Sequence, residues 1–471
     1  MLFNSSAFLV FFPVVCTTYF LLPHRFRWLW LLLASCYFYM AFVPVYILIL
    51  GFTIAVDYIA GILIEGSTGR RRRLFLLASI IANVGVLAVF KYWNFLNQNI
   101  GELFRAAGLS YGIPDLGILL PIGLSFHTFQ SLSYTVEVYR GNLKAERHPG
   151  IFALFVMFFP QLVAGPIERG QALLHQFHER KRFSYAALEH GLVKIAYGFF
   201  KKVVVADGLA GYVNMVYDRP EGVSSIALLV GTVFFAVQIY CDFSGYSDIA
   251  IGTANILGIR LMENFRRPYL SSSISEFWSR WHISLSSWFR DYVYIPMGGN
   301  RVVKWRWYGN LMVTFMLSGL WHGANWTFIV WGFLHGSYLI LALVLKAPAR
   351  TLARAIRSDR LPGLRRAFDR SMTLVLVTLA WVFFRAADMD QALSVLGGIF
   401  RPDGDWSPAS LALRGGMLVP LLGVGLILLL AASYRLPYDL RLRSPRVFLV
   451  LTTLTIILLG SNGGEFIYFQ F

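Results

Sequence analysis

Charged residues are scarce in this chain. Asp, Glu, Lys and Arg make up 14% of its 471 residues, whereas soluble proteins carry about 25%. The mean hydropathy is +0.59, and several uncharged runs are each long enough to cross roughly 30 Å of hydrocarbon as a helix. A soluble globular protein is therefore excluded. The sequence predicts an all-α polytopic membrane protein with about eleven to thirteen spans, and the lack of internal repeats favours a single transmembrane domain, 1–471.

Cysteine and the common catalytic motifs are also lacking. Two of the three cysteines, Cys16 and Cys36, lie within apolar runs and Cys241 ends another, so their spacing indicates neither a disulfide nor a metal site. There is no HExxH motif, no Gly-x-Ser-x-Gly elbow and no Walker or Rossmann glycine pattern. These absences argue against a metalloprotease and a serine hydrolase, and we expect no metal and no cofactor.

Basic residues outnumber acidic ones, which gives a net charge of +17, and most of them fall in short loops between apolar runs. Such loops mark the cytoplasmic face of a membrane protein rather than a nucleic-acid site. We predict an outside N-terminus that is not a removable signal, with cytoplasmic segments at 66–73, 140–148 and 346–370, the last as a surface helix. The basic face either only fixes topology or also attracts anions, such as lipid headgroups or an anionic substrate.

Two polar segments interrupt the apolar middle of the chain. In 273–300, Ser273 and Glu276 form a capping box that predicts a helix from about Ile274, and tryptophans at steps of three and four predict one aromatic face, typical of a helix at the membrane interface. In 238–252, two carboxylates flank Gly245. Asp242 and Asp248 either cap two half-helices or face a cavity or a partner.

The stretch SGLWHGANWTF, 318–328, contains the strongest candidate for chemistry. On one continuous helix, Ser318, His322, Asn325 and Trp326 would share a face, and a neighbouring backbone would approach closely at the glycines Gly319 and Gly323. An ionisable residue within a membrane is a functional candidate by default. We predict that His322 acts as a general base, with the other histidines ranking lower, in the order His282 and then His127 and His335.

The run ENFRRPYLSSSISEFWSRWHISLSSWFRDYVYIPMGGN, followed by SGLWHGANWTFIVWG, resembles the bacterial membrane-bound O-acyltransferases. LPIGLSFHTFQSLSYTVEVYRG, FFPQLVAGPIERG and YCDFSGYSDIAIG extend the resemblance over nearly the whole chain, with small departures at Ser279 and Met297. The resemblance implies a ring of tilted helices around a tunnel, with interfacial and re-entrant helices. It implies that His322 and His282 are catalytic. The residues expected to bind substrate are Asn325, Trp321, Asp242, Asp248, Arg280, Trp281 and Ser318.

The resemblance also implies a reaction. A cytoplasmic acyl thioester, most simply acetyl-coenzyme A, would donate its acyl group across the bacterial inner membrane toward a periplasmic acceptor. A periplasmic SGNH-hydrolase-like partner would then move it onto an exopolysaccharide. Two other hypotheses stay open: a proton-coupled transporter or flippase that uses the intramembrane Asp and His residues, and a scaffold that only docks the partner.

Overall fold

The structure, a computed structural model, describes residues 1–348, 351, 361–413, 416–435, 444–461, 464 and 466–467. This part of the chain is helical and contains no strand, which confirms the all-α prediction. Most of the basic segment predicted as a surface helix, 349–350 and 352–360, lies outside the described residues. The α-helices are α1 (Ser6–Leu21), α2 (His24–Met40), α3 (Ile47–Glu65), α4 (Gly69–Leu87), α5 (Trp93–Ala106), α6 (Leu124–Arg140), α7 (Pro149–Met157), α8 (Gly170–His178), α9 (Tyr185–Phe199), α10 (Asp207–Tyr217), α11 (Ser225–Ile256), α12 (Ile274–Arg280), α13 (Ile283–Phe289), α14 (Lys304–His322), α15 (Trp326–Val344), α16 (Pro362–Arg385), α17 (Met389–Ile399), α18 (Leu418–Arg435) and α19 (Pro445–Leu459).

Among the described residues, five helical stretches are long and apolar enough to cross a membrane: Pro44–Glu65, Gly69–Ala106, Ser225–Ile256, Trp326–Val344 and Pro362–Arg385. Three shorter helices, α1, α18 and α19, are also apolar. Only 17% of the most apolar part of Gly69–Ala106 is buried within the protein. A helix that is apolar on all sides and so little covered requires lipid around it. The prediction of a polytopic membrane protein is confirmed, and the exact span number stays a prediction.

The first of two compact units comprises Met1–Ala196 and Tyr246–Met262. At its centre Asp57 of α3, which is fully buried, accepts hydrogen bonds from two side chains of α4, Ser79 Oγ at 2.6 Å and Asn83 Nδ2 at 2.9 Å. Buried polar groups need such partners, because an unsatisfied one is costly. This network fixes α3 against α4.

The second unit comprises Tyr197–Gly245 and Glu263–Phe471, and its core is rich in large aromatic side chains. Helices α14 and α15 form a close hairpin in it. A side-chain carbon at Gly319 would collide with the carbonyl oxygen of Phe328, and one at Gly332 would collide with that of Phe315. The prediction of a close backbone approach is therefore confirmed at Gly319. At Gly323 it is wrong, because the space beside that glycine is filled by the ring of Phe328 and not by a backbone.

Helix α11 runs without a break through Gly245, so the alternative of two half-helices capped by Asp242 and Asp248 is wrong. A side-chain carbon at Gly245 would lie 2.8 Å from the carbonyl oxygen of Gly198 and 3.2 Å from the backbone nitrogen of Lys202. The glycine is thus required for a close crossing of two backbones rather than for ending a helix.

Candidate active site

The stretch 318–328 forms a corner between two helices rather than one helix. Helix α14 ends at His322, the backbone becomes extended at Gly323 (φ −159°, ψ 149°), and α15 begins after Asn325. Asn325 Oδ1 accepts a hydrogen bond from Thr327 N at 3.1 Å, and its Nδ2 donates to Ala387 O at 2.7 Å. The prediction of one continuous polar face is wrong, because Asn325 caps a new helix instead of extending the old one.

His322 lies at this corner inside a cage of aromatic rings. Its side chain is 6% exposed. The imidazole packs edge-to-face against Trp321, Trp331 and Phe384, at ring-centroid distances of 4.9, 5.1 and 5.1 Å. These rings exclude bulk water from the imidazole, which is the environment that a general base in a desolvated site needs.

His282 occupies a second corner, between α12 and α13, where its φ of 44° lies in the left-handed region. The predicted start of this segment is confirmed, since Ser273 Oγ accepts from Glu276 N at 3.1 Å and α12 begins at Ile274. The prediction of one continuous aromatic helix across 273–300 is wrong. The segment breaks at His282 because Asn264 provides hydrogen bonds there that a helix would not.

Asn264 holds His282 in a defined orientation. Ile283 N donates to the backbone oxygen of Asn264 at 3.0 Å, and Ser284 N and Oγ donate to its Oδ1 at 3.2 and 2.9 Å. The same Oδ1 lies 3.1 Å from His282 Nδ1. Because that oxygen only accepts, Nδ1 carries the proton of the neutral ring and Nε2 carries the lone pair. The buried imidazole is thereby fixed in the tautomer whose Nε2 can accept a proton.

The indole of Trp321 lies close to the rings of both histidines, His282 and His322. Its ring centroid lies 6.1 Å from that of His282 and 4.9 Å from that of His322. Trp281, which is 1% exposed, belongs to the same aromatic core through Trp381, at 5.0 Å. The structure therefore brings together four of the residues that the sequence predicted for the site, two histidines and two tryptophans.

A cavity of about 540 Å³ lies next to this cluster. Ser318, one turn before His322 on α14, contributes to its wall together with Thr314, Trp278 and Arg290. Further hydroxyl groups come from Ser273, Ser275, Ser279, Ser286 and Ser287. A space of this size that combines aromatic walls with several hydroxyl groups is typical of a small-molecule site.

The remaining predicted residues are held in ion pairs. Asp242 is buried against Lys202, with Nζ and Oδ1 2.6 Å apart, and it also accepts from Ile467 N at 2.9 Å. Asp248, in the first unit, pairs with Lys194 at 3.6 Å. Arg280 pairs with Glu276 one turn earlier on α12. These contacts give each residue a structural role, and their part in substrate binding stays a prediction.

The sequence analysis missed one residue of this region, Asn264, and underrated another, His335. Asn264 was noticed only as part of a motif, and no spacing links it to His282, which is eighteen positions away. His335 was ranked low, yet it is fully buried, accepts a hydrogen bond from Trp278 Nε1 at 3.2 Å and packs 4.9 Å from Trp331. The sequence did contain one signal that places His335 near the site. His335 follows Trp331 by one helical turn, on the helix that begins at the His322 corner.

Residues 147–352, which include both corner histidines, match the family model of the membrane-bound O-acyltransferases. A protein of Azotobacter vinelandii named as a probable alginate O-acetylase is 40% identical over 87% of this chain and 80% of its own length. The chain belongs to the membrane-bound O-acyltransferase family. The resemblance inferred from the motifs is therefore confirmed.

Two further relatives show how widely this acyltransferase family has diverged. A peptidoglycan O-acetyltransferase of Helicobacter pylori is 35% identical over 86% of this chain and 80% of its own length. A teichoic acid D-alanyltransferase of Bacillus subtilis is 30% identical over 55% of this chain and 65% of its own length. These relatives are named for acyl transfer to peptidoglycan and to teichoic acid, which supports O-acyl transfer as the general activity of this membrane protein.

Proposed function

We propose that this protein moves an acyl group, most simply acetyl, from a cytoplasmic thioester to a hydroxyl acceptor on the periplasmic side of the bacterial inner membrane. The two relatives with long coverage are named for acetylation of alginate and of peptidoglycan. The observation that carries the proposal is His322, buried at a helix corner among aromatic rings and one turn from a cavity that contains hydroxyl groups.

In the proposed reaction His322 is the general base. Its neutral imidazole takes the proton of the acceptor hydroxyl while the oxygen adds to the thioester carbonyl carbon. The tetrahedral intermediate then collapses, the carbon–sulfur bond breaks, and the thiolate receives the proton from the imidazolium. Asn325 was predicted to bind substrate, but its side-chain amide is engaged with Thr327 and Ala387. We assign Asn325 to holding the corner that presents His322.

His282 has a supporting role in this proposal. Its Nε2 bears the lone pair, and the ring of Trp321 packs near its ring and near that of His322. An imidazole fixed in this way can orient a substrate hydroxyl by accepting its hydrogen bond. We therefore assign His282 to positioning the acceptor and His322 to removing the proton.

The proposed donor is acetyl-coenzyme A, and the proposed route to the acceptor uses a second protein. An anionic thioester suits a basic cytoplasmic face, to which Arg70, Arg72 and Arg73 at the start of α4 would contribute. On the outer side, an SGNH-hydrolase-like partner would accept the acetyl group on a serine and pass it to an exopolysaccharide. Alginate is the polymer named for the Azotobacter relative.

The direct test is turnover of acetyl-coenzyme A by the purified protein in detergent or liposomes, with release of free thiol and transfer of labelled acetyl to a hydroxyl acceptor measured together. Acyl transfer predicts both products in equal amounts. A transporter or a scaffold would leave the thioester intact, and that result would refute the proposed function. Boiled protein provides the blank for spontaneous hydrolysis.

A further inference from the structure

A second pair of buried polar side chains, Trp331 and His335, lies near the candidate base His322. Trp331 and His335 are one turn apart on α15, so they share a helix face. Both are fully buried, and their rings lie 4.9 Å apart. Trp331 also packs 5.1 Å from His322. One member of the pair, Trp331, is thus in ring contact with the candidate base.

The tautomer of His335 follows from its one hydrogen bond to Trp278. An indole N–H only donates, and Trp278 Nε1 lies 3.2 Å from His335 Nδ1. His335 Nδ1 is therefore the acceptor, and the proton of the neutral ring is on Nε2. His335 is the opposite of His282 in this respect, because it presents an N–H donor rather than a lone pair.

Neither of these two donors is satisfied. In the part of the chain that the structure describes, Trp331 Nε1 and His335 Nε2 are buried and have no hydrogen-bond partner. The neighbouring indole of Trp381, by contrast, donates to Tyr269 OH at 3.2 Å. Buried donors in proteins nearly always find an acceptor. Two open N–H groups on one helix face, one of them on a ring that packs against the candidate base, indicate a place for an oxygen that the described residues do not supply.

We propose that Trp331 Nε1 and His335 Nε2 donate hydrogen bonds to the carbonyl oxygen of the bound acyl group. This inference rests on the proposed function of His322. When the acceptor oxygen adds to the carbonyl carbon, the π electrons of the C=O bond move onto that oxygen, and the two N–H groups stabilise the resulting negative charge. When the intermediate collapses, the C=O bond re-forms and the thiolate leaves with the proton held by His322.

The variants that test this proposal remove one N–H at a time. Trp331→Phe keeps an aromatic ring without the donor, and His335→Leu removes the imidazole. His335→Gln keeps an amide N–H near the position of Nε2. Trp326→Phe, whose indole is 52% exposed on the same helix, is the matched control. Acetyl-coenzyme A is the donor used, and kcat, KM and the thermal unfolding temperature are measured for each purified variant.

We expect Trp331→Phe and His335→Leu to lower kcat by about a hundredfold, the scale for loss of one oxyanion donor. KM for acetyl-coenzyme A should change by less than about threefold, because these hydrogen bonds become strong only when the carbonyl oxygen gains its negative charge. His335→Gln should recover most of the loss, and Trp326→Phe should behave as wild type. The proposal is overturned if Trp331→Phe and His335→Leu keep kcat within about threefold of wild type, or if His335→Gln is as impaired as His335→Leu. If Trp331→Phe does not fold, the difference in kcat between His335→Leu and His335→Gln decides whether the proposal stands.

His322→Gln is measured in the same series, so that the two proposals fail separately. If His322→Gln is inactive while Trp331→Phe and His335→Leu are fully active, only the assignment of the two donors is wrong. If His322→Gln is active, the proposed base is wrong and the donor assignment falls with it.

Discussion

Replacing Asp242 by asparagine is expected to destabilise the folded protein far more than the same change at Asp248, although both carboxylates lie on α11. The side chains of Asp242 and Lys202 are 2% and 1% exposed, and their charges are 2.6 Å apart. Those of Asp248 and Lys194 are 20% and 16% exposed and 3.6 Å apart. The two variants remove the same charge from one helix in two different environments.

The size of the difference follows from burial. Removing one partner of a buried ion pair costs about 3–5 kcal/mol, because the remaining charge stays desolvated. Lys202 would keep Asp207, whose Oδ1 lies 2.9 Å from Nζ, so the lower end of that range, about 3 kcal/mol, is expected for Asp242→Asn. A partly exposed pair is worth at most about 1 kcal/mol, which is the expected limit for Asp248→Asn.

The assay is thermal or denaturant unfolding of each purified variant in one detergent, followed by the intrinsic fluorescence of the tryptophan-rich second unit. Acyl-transfer activity is measured on the protein that remains folded. Asp242→Asn should unfold at a lower temperature or denaturant concentration than Asp248→Asn. The fraction of Asp242→Asn that remains folded should still catalyse acyl transfer. Equal stability of the two variants would refute the structural role assigned to the buried pair.

Four further outcomes are expected. Asn325→Ala should lower stability by about 1 kcal/mol, as loss of a helix N-cap to Thr327 does, yet retain most of the activity per folded molecule; complete inactivity of well-folded protein would show a role in catalysis. Gly319→Val should fail to accumulate as folded protein, because its side chain collides with the carbonyl of Phe328, whereas normal yield would argue against the close hairpin. Binding of coenzyme A, followed by calorimetry, should weaken with rising salt; an affinity independent of ionic strength would remove the electrostatic argument for the donor. A single cysteine at Arg70 should resist labelling from the periplasm of intact cells, and labelling there would reverse the orientation.

Local signals in the sequence were sufficient for some features of the fold. The cap at Ser273 is formed within three residues, so it was predicted correctly, and the helix begins at Ile274 as expected. The close approach at Gly319 also follows from its position in an apolar helix. The membrane-spanning character and the family depended on composition and on long motifs, which do not require knowledge of tertiary contacts.

Features fixed by distant residues could not be predicted in this way. The break at His282 depends on Asn264, and the tryptophan spacing on its own indicated a continuous helix. The corner at Asn325 depends partly on Ala387, sixty-two residues away. No proline marks either break. The corner at Asn325 does carry two local signals, Gly323 after the last helical residue and Asn325 as an N-cap, but the regular spacing of the polar residues favoured one helix.

Contacts between residues distant in the sequence also explain why the roles of some polar residues were missed or left open. Lys202 and Asp242 are forty residues apart, and only tertiary packing shows that the carboxylate has a buried cation beside it. His335 gains its defined tautomer from Trp278, fifty-seven residues earlier. Asp242 and His335 are each flanked by apolar residues or glycine in the sequence, where a structural and a catalytic role look alike.

The central claim is that His322 acts as a base, and His322→Gln tests it most directly. Glutamine keeps a hydrogen-bonding side chain in the cage formed by Trp321, Trp331 and Phe384 but cannot take up a proton. With membranes containing equal amounts of protein, acyl transfer from acetyl-coenzyme A should fall by about a hundredfold or more, and His282→Gln should lower it less. If His322→Gln keeps most of the wild-type acyl transfer, the base is a different residue, and His282, whose Nε2 carries the lone pair of the neutral ring, becomes the next to test.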